Sequence, residues 1–277
     1  MEKVRLVATD LDGTFLRNDR SISEENLRAL TDLGDAGIIR VAATGRNLRK
    51  VKEVIPSGTP FDFIVFSSGA GIYHWTDGRF ISGINISPAS SALLSGFLMK
   101  RNLNFHAFFP VPDNHQLYFF RGGEHCEEFE RYFSFHNSFA FPLQPDQPFP
   151  DGLCQYLIII REDKSLFDQM KAEIESAFDE VRVIRSSSPI TNGYIWMEVF
   201  NRKVSKGNGI IEICRLTDVH PDQTLSIGND YNDIDMLEIT AHSYITDNAP
   251  EEIKAHYLTI PSNEEHGFSH IVRQLIN

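Results

Sequence analysis

The sequence is poor in cysteine and has no long apolar segment. Its 277 residues include only three cysteines, Cys126, Cys154 and Cys214, which are odd in number and widely separated. Disulfide-dependent domains carry paired cysteines, so we expect these three to be reduced thiols that pack as small apolar residues. No stretch approaches the roughly 20 apolar residues that cross a bilayer. The first residues also lack the pattern of a signal peptide, so we expect a cytoplasmic protein with no membrane partner.

The chain also lacks an excess of basic residues. Lys and Arg number 26 against 38 Asp and Glu, which gives a formal net charge of −12. A nucleic-acid partner is therefore not expected, because phosphate backbones are bound by clustered Lys and Arg. A small phosphorylated metabolite stays compatible with this charge, because it needs only local cations. The composition is otherwise that of a globular protein, and we expect a monomer or a small homo-oligomer.

The chain does have a regular alternation of strands and helices at its start. Residues 4–8, 38–43 and 61–66 are short β-branched or aliphatic runs that are typical of buried strands. A helix capped by Ser21 or Ser23 lies between the first two runs, and a basic helix lies between the second and third. This order predicts the opening of a parallel, Rossmann-like α/β sheet.

The middle of the chain has a different texture. Phenylalanine is dense from about residue 97 to residue 149, and helices alternate there with strands that flank short turns. The opening pattern resumes at about residue 203 with a helix, a buried strand and further helices. We therefore predict an α/β fold with two domains. Residues 1–82 and 203–277 form the core, and residues 83–202 form an inserted α/β cap.

Polar residues occur at the carboxyl ends of predicted core strands and at the start of one helix. Ligands bind beyond the carboxyl ends of strands in open α/β sheets. Two carboxylates two residues apart repel each other unless a cation or a shared proton lies between them. Taken alone, each cluster is an ordinary turn, surface side chain or helix cap; together they predict one site. The four clusters are Asp10 with Asp12, Thr44 with Arg46, Lys206, and residues 229–233.

These clusters resemble the motifs of the haloacid dehalogenase superfamily of phosphohydrolases. The matching segments, in the family's order, are D-L-D-G-T at 10–14, A-T-G-R at 43–46, S-K-G at 205–207 and G-N-D-Y-N-D at 228–233. The inserted block resembles the C2B type of cap of Cof-like sugar-phosphate phosphatases. The resemblance implies a Mg²⁺-dependent phosphatase that acts on a small phosphorylated metabolite, with a sugar phosphate as the expected substrate.

The resemblance also implies a role for each residue. A carboxylate that attacks an anionic phosphate monoester needs positive charge beside it. Asp10 would be the nucleophile and form an aspartyl-phosphate, while Asp12 would be the general acid and base. Thr44 would hold a phosphoryl oxygen, and Lys206 would add charge to the phosphoryl group and restrain Asp10. The remaining residues expected to bind phosphate or substrate are Gly45, Arg46 and Asn232.

The expected metal site departs from the family pattern. The fourth motif usually begins Gly-Asp, and Asn229 stands where that Asp is expected. The resemblance implies that Asp10 binds Mg²⁺ through its side chain and Asp12 through its carbonyl oxygen. Counting back from Asp233, the spacing places Asn229 as a direct ligand, since Mg²⁺ prefers oxygen ligands and an amide offers one. Asp230 is the alternative ligand, and Asp233 would supply charge nearby or ligate the ion.

Two other functions stay open. A phosphosugar mutase of the same superfamily would share these motifs, but it must keep water away from the aspartyl-phosphate, and no sequence feature indicates that. A non-catalytic phosphate-binding regulatory protein would follow if Asn229 abolished metal binding, although the intact carboxylates and Lys206 argue against it.

Substrate contacts outside these motifs are harder to predict. Ser68-Gly69 stands after the third strand, where many Cof-like proteins have Asn-Gly. Aromatic residues with polar neighbours suit the faces of sugars, but packed aromatics more often belong to the core. The residues for which both interpretations apply are His74, Trp75, His106, Tyr118 and Arg121.

Overall fold

The computed structural model describes residues 3–188 and 190–276. They form two compact units. The first, which we call the outer unit, consists of Met1–Ser82 and Ser205–Asn277, and the second, the inserted unit, consists of Gly83–Val204. None of the helices in the described ranges combines the length and hydropathy needed to cross a membrane.

The described residues form fourteen strands and nine α-helices. The strands are β1 (Leu6–Thr9), β2 (Ile39–Ala43), β3 (Phe63–Phe66), β4 (Gly71–His74), β5 (Arg79–Gly83), β6 (Phe105–Phe108), β7 (Leu117–Phe120), β8 (Ala140–Pro142), β9 (Gln155–Arg161), β10 (Val181–Ser187), β11 (Tyr194–Asn201), β12 (Thr224–Gly228), β13 (His242–Thr246) and β14 (Leu258–Ile260). The helices are α1 (Glu24–Asp35), α2 (Leu48–Val54), α3 (Pro88–Lys100), α4 (Glu127–His136), α5 (Lys164–Ala177), α6 (Lys206–Thr217), α7 (Ile234–Ile239), α8 (Glu251–Lys254) and α9 (Gly267–Ile276).

The sheet of the outer unit has eight strands in the order β14-β13-β12-β1-β2-β3-β4-β5. The strands from β14 to β3 are parallel, and β4 runs antiparallel to β3. The first strand lies between β12 and β2, with Leu6 opposite both Thr224 and Ile39. All four residues of β1 are buried, as expected for a strand covered on both faces. The α/β fold class is therefore confirmed.

The helix ends of the outer unit follow from short polar side chains. Ser23, and not Ser21, caps α1, and its hydroxyl accepts a hydrogen bond from the Asn26 N–H at 3.1 Å. Ser205 caps α6 in the same way through the Asn208 N–H at 3.0 Å. The α6 cap matters for the site because it fixes the position of the next residue, Lys206.

Two parts of the outer sheet differ from the sequence-based prediction. The hairpin of β4 and β5 was not predicted, although its turn carries Asp77-Gly78, with Gly78 at φ +65°. The three-residue edge strand β14 was also not predicted. Short edge elements bury few side chains, so hydrophobic periodicity gives little signal for them.

The inserted unit contains a six-stranded sheet in the order β10-β11-β9-β6-β7-β8. Its strands pair antiparallel except for β7 and β8, which are parallel. Leu94 and Leu98 of α3 and Phe167 and Ile174 of α5 pack into the main hydrophobic cluster on one face. The alternation of side chains along β6 places Phe105 and Ala107 in that cluster and His106 on the opposite face.

His106 is enclosed by aromatic rings of α4. Its ring stacks on Phe129 with centroids 4.2 Å apart and lies 4.8 Å from the ring of Tyr132. His106 is fully buried, and Trp75 in the outer unit is 8% exposed. For these two residues the core alternative from the sequence is confirmed.

The two ends of the inserted segment lie next to each other within the inserted unit. The Asn201 side-chain N–H donates to the Asn85 carbonyl at 3.1 Å and to Glu180 at 3.1 Å. Glu180 also accepts from the backbone N–H and the hydroxyl of Ser87. The segment therefore leaves its fold close to the place where it begins.

Candidate active site

The polar clusters predicted from the sequence meet at one edge of the outer sheet. Asp10 follows β1, Thr44 follows β2, and Asn229 follows β12. Parallel neighbours present their carboxyl ends at the same edge, where the backbone N–H and C=O groups leave the ladder. Lys206, at the first position of α6, reaches the same edge.

Lys206 lies at the centre of this site and bonds three of its side chains. Its Nζ atom donates to Asp10 Oδ1 at 2.6 Å, to Asp233 Oδ1 at 2.7 Å and to Asn232 Oδ1 at 3.1 Å. An ammonium has three N–H donors, so all three are in use. The side chain is 1% exposed. Burial acts to lower the pKa of Lys206, but Asp10 and Asp233 outweigh it, so the pKa lies above its usual range and the group is charged at neutral pH.

Asp233 braces the loop that follows β12. It is fully buried, and its Oδ2 atom accepts from the backbone N–H groups of Asn229 at 2.8 Å and Asp230 at 3.0 Å. With Oδ1 bonded to Lys206, both oxygens have strong partners. The sequence allowed Asp233 to supply charge or to ligate a metal, and these contacts favour the supporting role.

Asp10 is the buried carboxylate at the centre of the site. Its backbone N–H donates to the Ile227 carbonyl at 2.9 Å, which continues the pairing of β1 with β12. Burial raises the pKa of Asp10 to about 8; Lys206 opposes this shift, and Asp233 and Asp12 add to it. A nucleophilic carboxylate has to be ionised, so this site calls for more positive charge than Lys206 alone supplies.

Asp12 and Arg46 form a bidentate ion pair. Arg46 Nε donates to Asp12 Oδ2 and Arg46 Nη2 to Asp12 Oδ1, both at 2.6 Å. The Asp12 side chain is 46% exposed, so solvent reaches it although Asp10 is buried. Arg46 was predicted to bind substrate or phosphate, and here it orients the predicted acid. For Asp12 to protonate a leaving group, this pair has to open or shift.

Gly45 lies close to Asn232, which bonds Lys206, and Thr44 precedes Gly45 in the loop after β2. Thr44 is buried, and its hydroxyl accepts from the Arg46 N–H at 3.1 Å. A Cβ placed on Gly45 would lie 3.6 Å from Ser68 Oγ and 3.7 Å from Asn232 Nδ2. The glycine thus leaves a gap the size of a methyl group beside two hydrogen-bonding side chains.

The Asn229 amide meets the two predicted metal-binding groups of the DxD segment. One terminal atom of this amide lies 2.9 Å from the Asp12 carbonyl oxygen, 3.3 Å from Asp10 Oδ2 and 3.1 Å from Thr14 Oγ1. Nitrogen in this position donates to all three oxygens. Oxygen in this position faces two acceptors, and that arrangement is favourable only with a cation among them.

This donor set fits Mg²⁺. A carboxylate, a backbone carbonyl and an amide are oxygen ligands of the kind Mg²⁺ takes, with waters and substrate completing its shell. The Gly13 backbone approaches closely, since a Cβ there would lie 2.5 Å from the Asn229 amide. Within the described ranges, no group of three or more His, Cys, Asp or Glu residues is arranged to hold a metal.

The two candidate metal ligands make different contacts. Asn229 points its amide at Asp10 and Asp12, whereas Asp230 contributes its backbone N–H to Asp233. Two residues of this region were missed by the sequence analysis. Thr14 is buried and bonded to Asn229, and its place in D-G-T was the available signal. Ser68 is buried beside Gly45; Ser68-Gly69 was noted from the sequence as a departure from Asn-Gly, but its side chain was assigned no role.

Comparison with known proteins points to one family. A family profile described as haloacid dehalogenase-like hydrolase matches residues 7–272. A 5-amino-6-(5-phospho-D-ribitylamino)uracil phosphatase of Bacillus subtilis is 24% identical, with 99% of each chain covered. A second B. subtilis phosphatase is 23% identical over 99% of this chain and all of its own.

Solved structures share the fold over almost the whole chain. A Streptococcus mutans protein superposes with a TM-score of 0.80 at 21% identity and covers 98% of both chains. A structure described as a sugar phosphatase of subclass IIB has a TM-score of 0.76 at 18% identity, covering 99% of this chain and all of its own. At such identities, these likenesses establish a common fold.

Proposed function

The chain belongs to the haloacid dehalogenase-like hydrolases and is a phosphatase, and we propose that it hydrolyses a small sugar phosphate through an aspartyl-phosphate on Asp10 with the help of Mg²⁺. The family membership and enzyme class predicted from the motifs are thereby confirmed. The observation that carries the proposal is the arrangement of Asp10. Lys206 holds one of its oxygens, and the other lies 3.3 Å from the Asn229 amide, which also contacts the Asp12 carbonyl.

In the first step, a carboxylate oxygen of Asp10 attacks phosphorus and the ester P–O bond breaks. Lys206 holds Asp10 in a single orientation, and its charge reduces the repulsion between the carboxylate and the anionic phosphoryl group. The leaving alkoxide takes a proton from Asp12. Arg46 occupies both oxygens of the ionised Asp12 carboxylate, so Asp12 takes up this proton from solvent after the pair has opened.

In the second step, Asp12 accepts a proton from water as the water oxygen attacks phosphorus of the aspartyl-phosphate. The bond between phosphorus and Asp10 breaks, which releases inorganic phosphate and restores the carboxylate. Thr44 contributes a buried hydroxyl beside the phosphoryl group, and Asn232 is held next to it by Lys206.

Asp10, the Asp12 carbonyl and Asn229 would hold the metal. When bound, Mg²⁺ supplies positive charge that offsets the phosphoryl oxygens and favours the ionised form of Asp10. Asn229 is a neutral ligand, so the site gives the ion one negative charge fewer than a site with Asp would. We therefore propose Mg²⁺ binding that is weaker than in a site with Asp at this position.

The substrate class rests on the relatives. The B. subtilis phosphatase that matches along its whole length acts on a phosphoribitylamino compound, and one similar structure is a sugar phosphatase. Both names describe a phosphate ester of a polyhydroxylated carbon chain. We propose substrates of this chemistry for the present chain.

The test is phosphate release from a panel of sugar phosphates and from p-nitrophenyl phosphate, with Mg²⁺ or with a chelator. Asp10→Asn should reduce turnover at least ~10³-fold, because an amide of the same size is a poor nucleophile. The matched control is Asp62→Asn, since Asp62 is also an ion-paired carboxylate of the outer sheet, bonded to Arg40 at 2.7 Å. Substantial turnover by folded Asp10→Asn would exclude Asp10 as the nucleophile.

A further inference from the structure

The segment after β3 carries an unusual backbone. Ser67 and Ser68 have φ values of +49° and +54°, and Gly69 has +102°. Left-handed conformations are uncommon for residues with a side chain, and two in succession persist only where the surroundings enforce them. The Ser67 N–H donates to the Arg46 carbonyl at 2.8 Å and the Ser68 N–H to the Thr44 carbonyl at 2.9 Å. The serines are thus fixed to the loop that contains Gly45.

Gly69 closes the segment from the other side. A Cβ at this position would lie 2.1 Å from the Ser205 carbonyl oxygen, so only glycine fits against the start of α6. Ser205 precedes Lys206 and caps its helix. The strained segment therefore lies between two parts of the proposed phosphate site and has little freedom to relax.

The Ser68 hydroxyl has no hydrogen-bond partner in this position. The residue is fully buried, and its Oγ atom is among the buried polar atoms of the described residues that lack a partner. A buried hydroxyl that makes no hydrogen bond is destabilising. Strain and an unsatisfied donor at one residue next to a site indicate a role in that site.

The groups around Ser68 Oγ suit an anion as its hydrogen-bond partner. It borders the gap at Gly45 together with Asn232 Nδ2. Asn232 Oδ1 accepts from Lys206, so the amide presents its N–H side toward Gly45. A hydroxyl, an amide nitrogen and a neighbouring ammonium together suit the non-bridging oxygens of a phosphate group.

We propose that Ser68 is a phosphate-binding residue whose hydroxyl donates to a non-bridging oxygen of the substrate's phosphoryl group. This inference rests on the proposed phosphatase function and adds a donor that the motifs do not contain. It also explains the strain, because the left-handed turn brings the hydroxyl to the gap beside Gly45. The free-energy cost of the strain and of the unpaired hydroxyl is offset when the hydroxyl donates to phosphate.

The experiment measures binding of inorganic phosphate by calorimetry in the presence of Mg²⁺, together with thermal melting. Ser68→Ala removes the unpartnered hydroxyl, so its melting temperature should equal or exceed that of the wild type, while phosphate binding should weaken by about 10-fold or more. Ser68→Gly also relieves the left-handed strain. It should melt higher than Ser68→Ala and lose phosphate affinity by the same factor.

Ser67→Ala is the matched control, because Ser67 shares the left-handed backbone but is not the residue beside Gly45. It should keep the wild-type affinity for phosphate. Wild-type affinity in Ser68→Ala, or a lower melting temperature with unchanged affinity, would overturn the proposal and leave the phosphatase function intact. Failure of the wild type both to bind phosphate and to hydrolyse phosphate esters would overturn the proposed function and this inference with it.

Discussion

The active site of the outer unit and the second face of the inserted sheet bury polar groups in opposite ways. Around Lys206, each buried charge has a charged or backbone partner at 2.6–3.0 Å, including Asp10 and Asp233. In the inserted unit, both ring nitrogens of His106, Trp196 Nε1 and Glu128 Oε2 are buried without a partner among the described residues. One region pairs its buried charges, and the other leaves several buried polar groups unsatisfied.

This difference in the pairing of buried polar groups matches a difference in role between the two regions. Groups that take part in phosphoryl transfer are most effective when their orientation is fixed before substrate arrives, and the Lys206 network fixes Asp10 in this way. In the inserted unit, His106 stacks on Phe129 and lies against the ring of Tyr132. Its nitrogens are tolerated because burial lowers the pKa of His106 well below 6.5 and keeps the ring neutral.

Replacing Lys206 should leave the buried charges of the outer unit unpaired and have the largest effect on stability. Lys206→Met leaves two buried carboxylates without their common cation, so the free energy of unfolding should fall by about 3–5 kcal/mol. Urea denaturation measures the change. Lys50→Met is the control, because Lys50 pairs with Glu53 at the surface, and exposed pairs contribute little.

A second substitution sharpens the interpretation of the Lys206 result. Adding Asp233→Asn to Lys206→Met removes one of the two uncompensated charges and should restore part of the lost stability. If Lys206→Met unfolds like the wild type, the buried charges do not form the network described here.

Exchanging Asn229, the proposed neutral metal ligand, should have an intermediate effect. In a chelator, Asn229→Asp loses an amide that donates to Asp10 and brings a third carboxylate to the site. It should therefore be about 1–3 kcal/mol less stable than the wild type. With Mg²⁺ it should retain activity and reach half-maximal rate at a lower Mg²⁺ concentration, because the ligand set gains a negative charge.

Truncation at the same position gives the opposite result. Asn229→Ala should need more Mg²⁺ than the wild type for half-maximal rate. A Mg²⁺ titration that is unmoved in Asn229→Ala but abolished in Asp230→Ala would identify Asp230 as the ligand instead.

The smallest effect is expected from His106→Phe, which removes the two unpartnered ring nitrogens from the inserted unit. Burial, aided by His136 and Arg121, depresses the pKa of folded His106, so below pH 6.5 the unfolded chain binds more protons than the folded one. The contribution of neutral His106 to the free energy of unfolding should therefore be fully present above pH 6.5. It should be lost as the pH drops, by about 1.4 kcal/mol between pH 7.5 and 5.5. Phe cannot bind a proton, so His106→Phe should lose this contribution.

Fluorescence of Trp196 in a Trp75→Phe background reports on the inserted unit, because these are the chain's two tryptophans. His125→Gln is the control, since His125 is exposed and should leave the pH dependence as it is. An acid sensitivity that is equal in the wild type and in His106→Phe would show that other groups, such as the neighbouring His136, carry it.

Much of the outer unit could be predicted because local patterns determine it. Three buried runs, two helix signals and the parallel connection rule bring Asp10 and Thr44 to one edge of the sheet without any knowledge of their contacts. The bond between Lys206 and Asp233 could not be predicted in the same way. It depends on where α6 begins relative to a short turn 27 positions later, and spacing in the sequence does not encode that distance.

Other features were out of reach for different physical reasons. The left-handed backbone at Ser68 arises from its bonds to the Thr44 loop and from the close approach of Gly69 to Ser205, which are tertiary contacts. The burial of His106 depends on α4 covering the second face of the inserted sheet. In contrast, the β4–β5 hairpin carried a readable turn signal at Asp77-Gly78.

The contact between Asn201 and Asn85 has a consequence for the order of folding. In the outer sheet β1 pairs with β12, so Leu6 pairs with Thr224, which lies more than two hundred residues later in the sequence. Closing so long a loop is entropically unfavourable and slow. The inserted segment is continuous in sequence, and once it folds, residues 85 and 201 are side by side and the loop that remains is shorter by the 116 positions between them. We expect pulse-labelled hydrogen exchange to show protection of β9 and β11 before β1, and simultaneous protection would contradict this order.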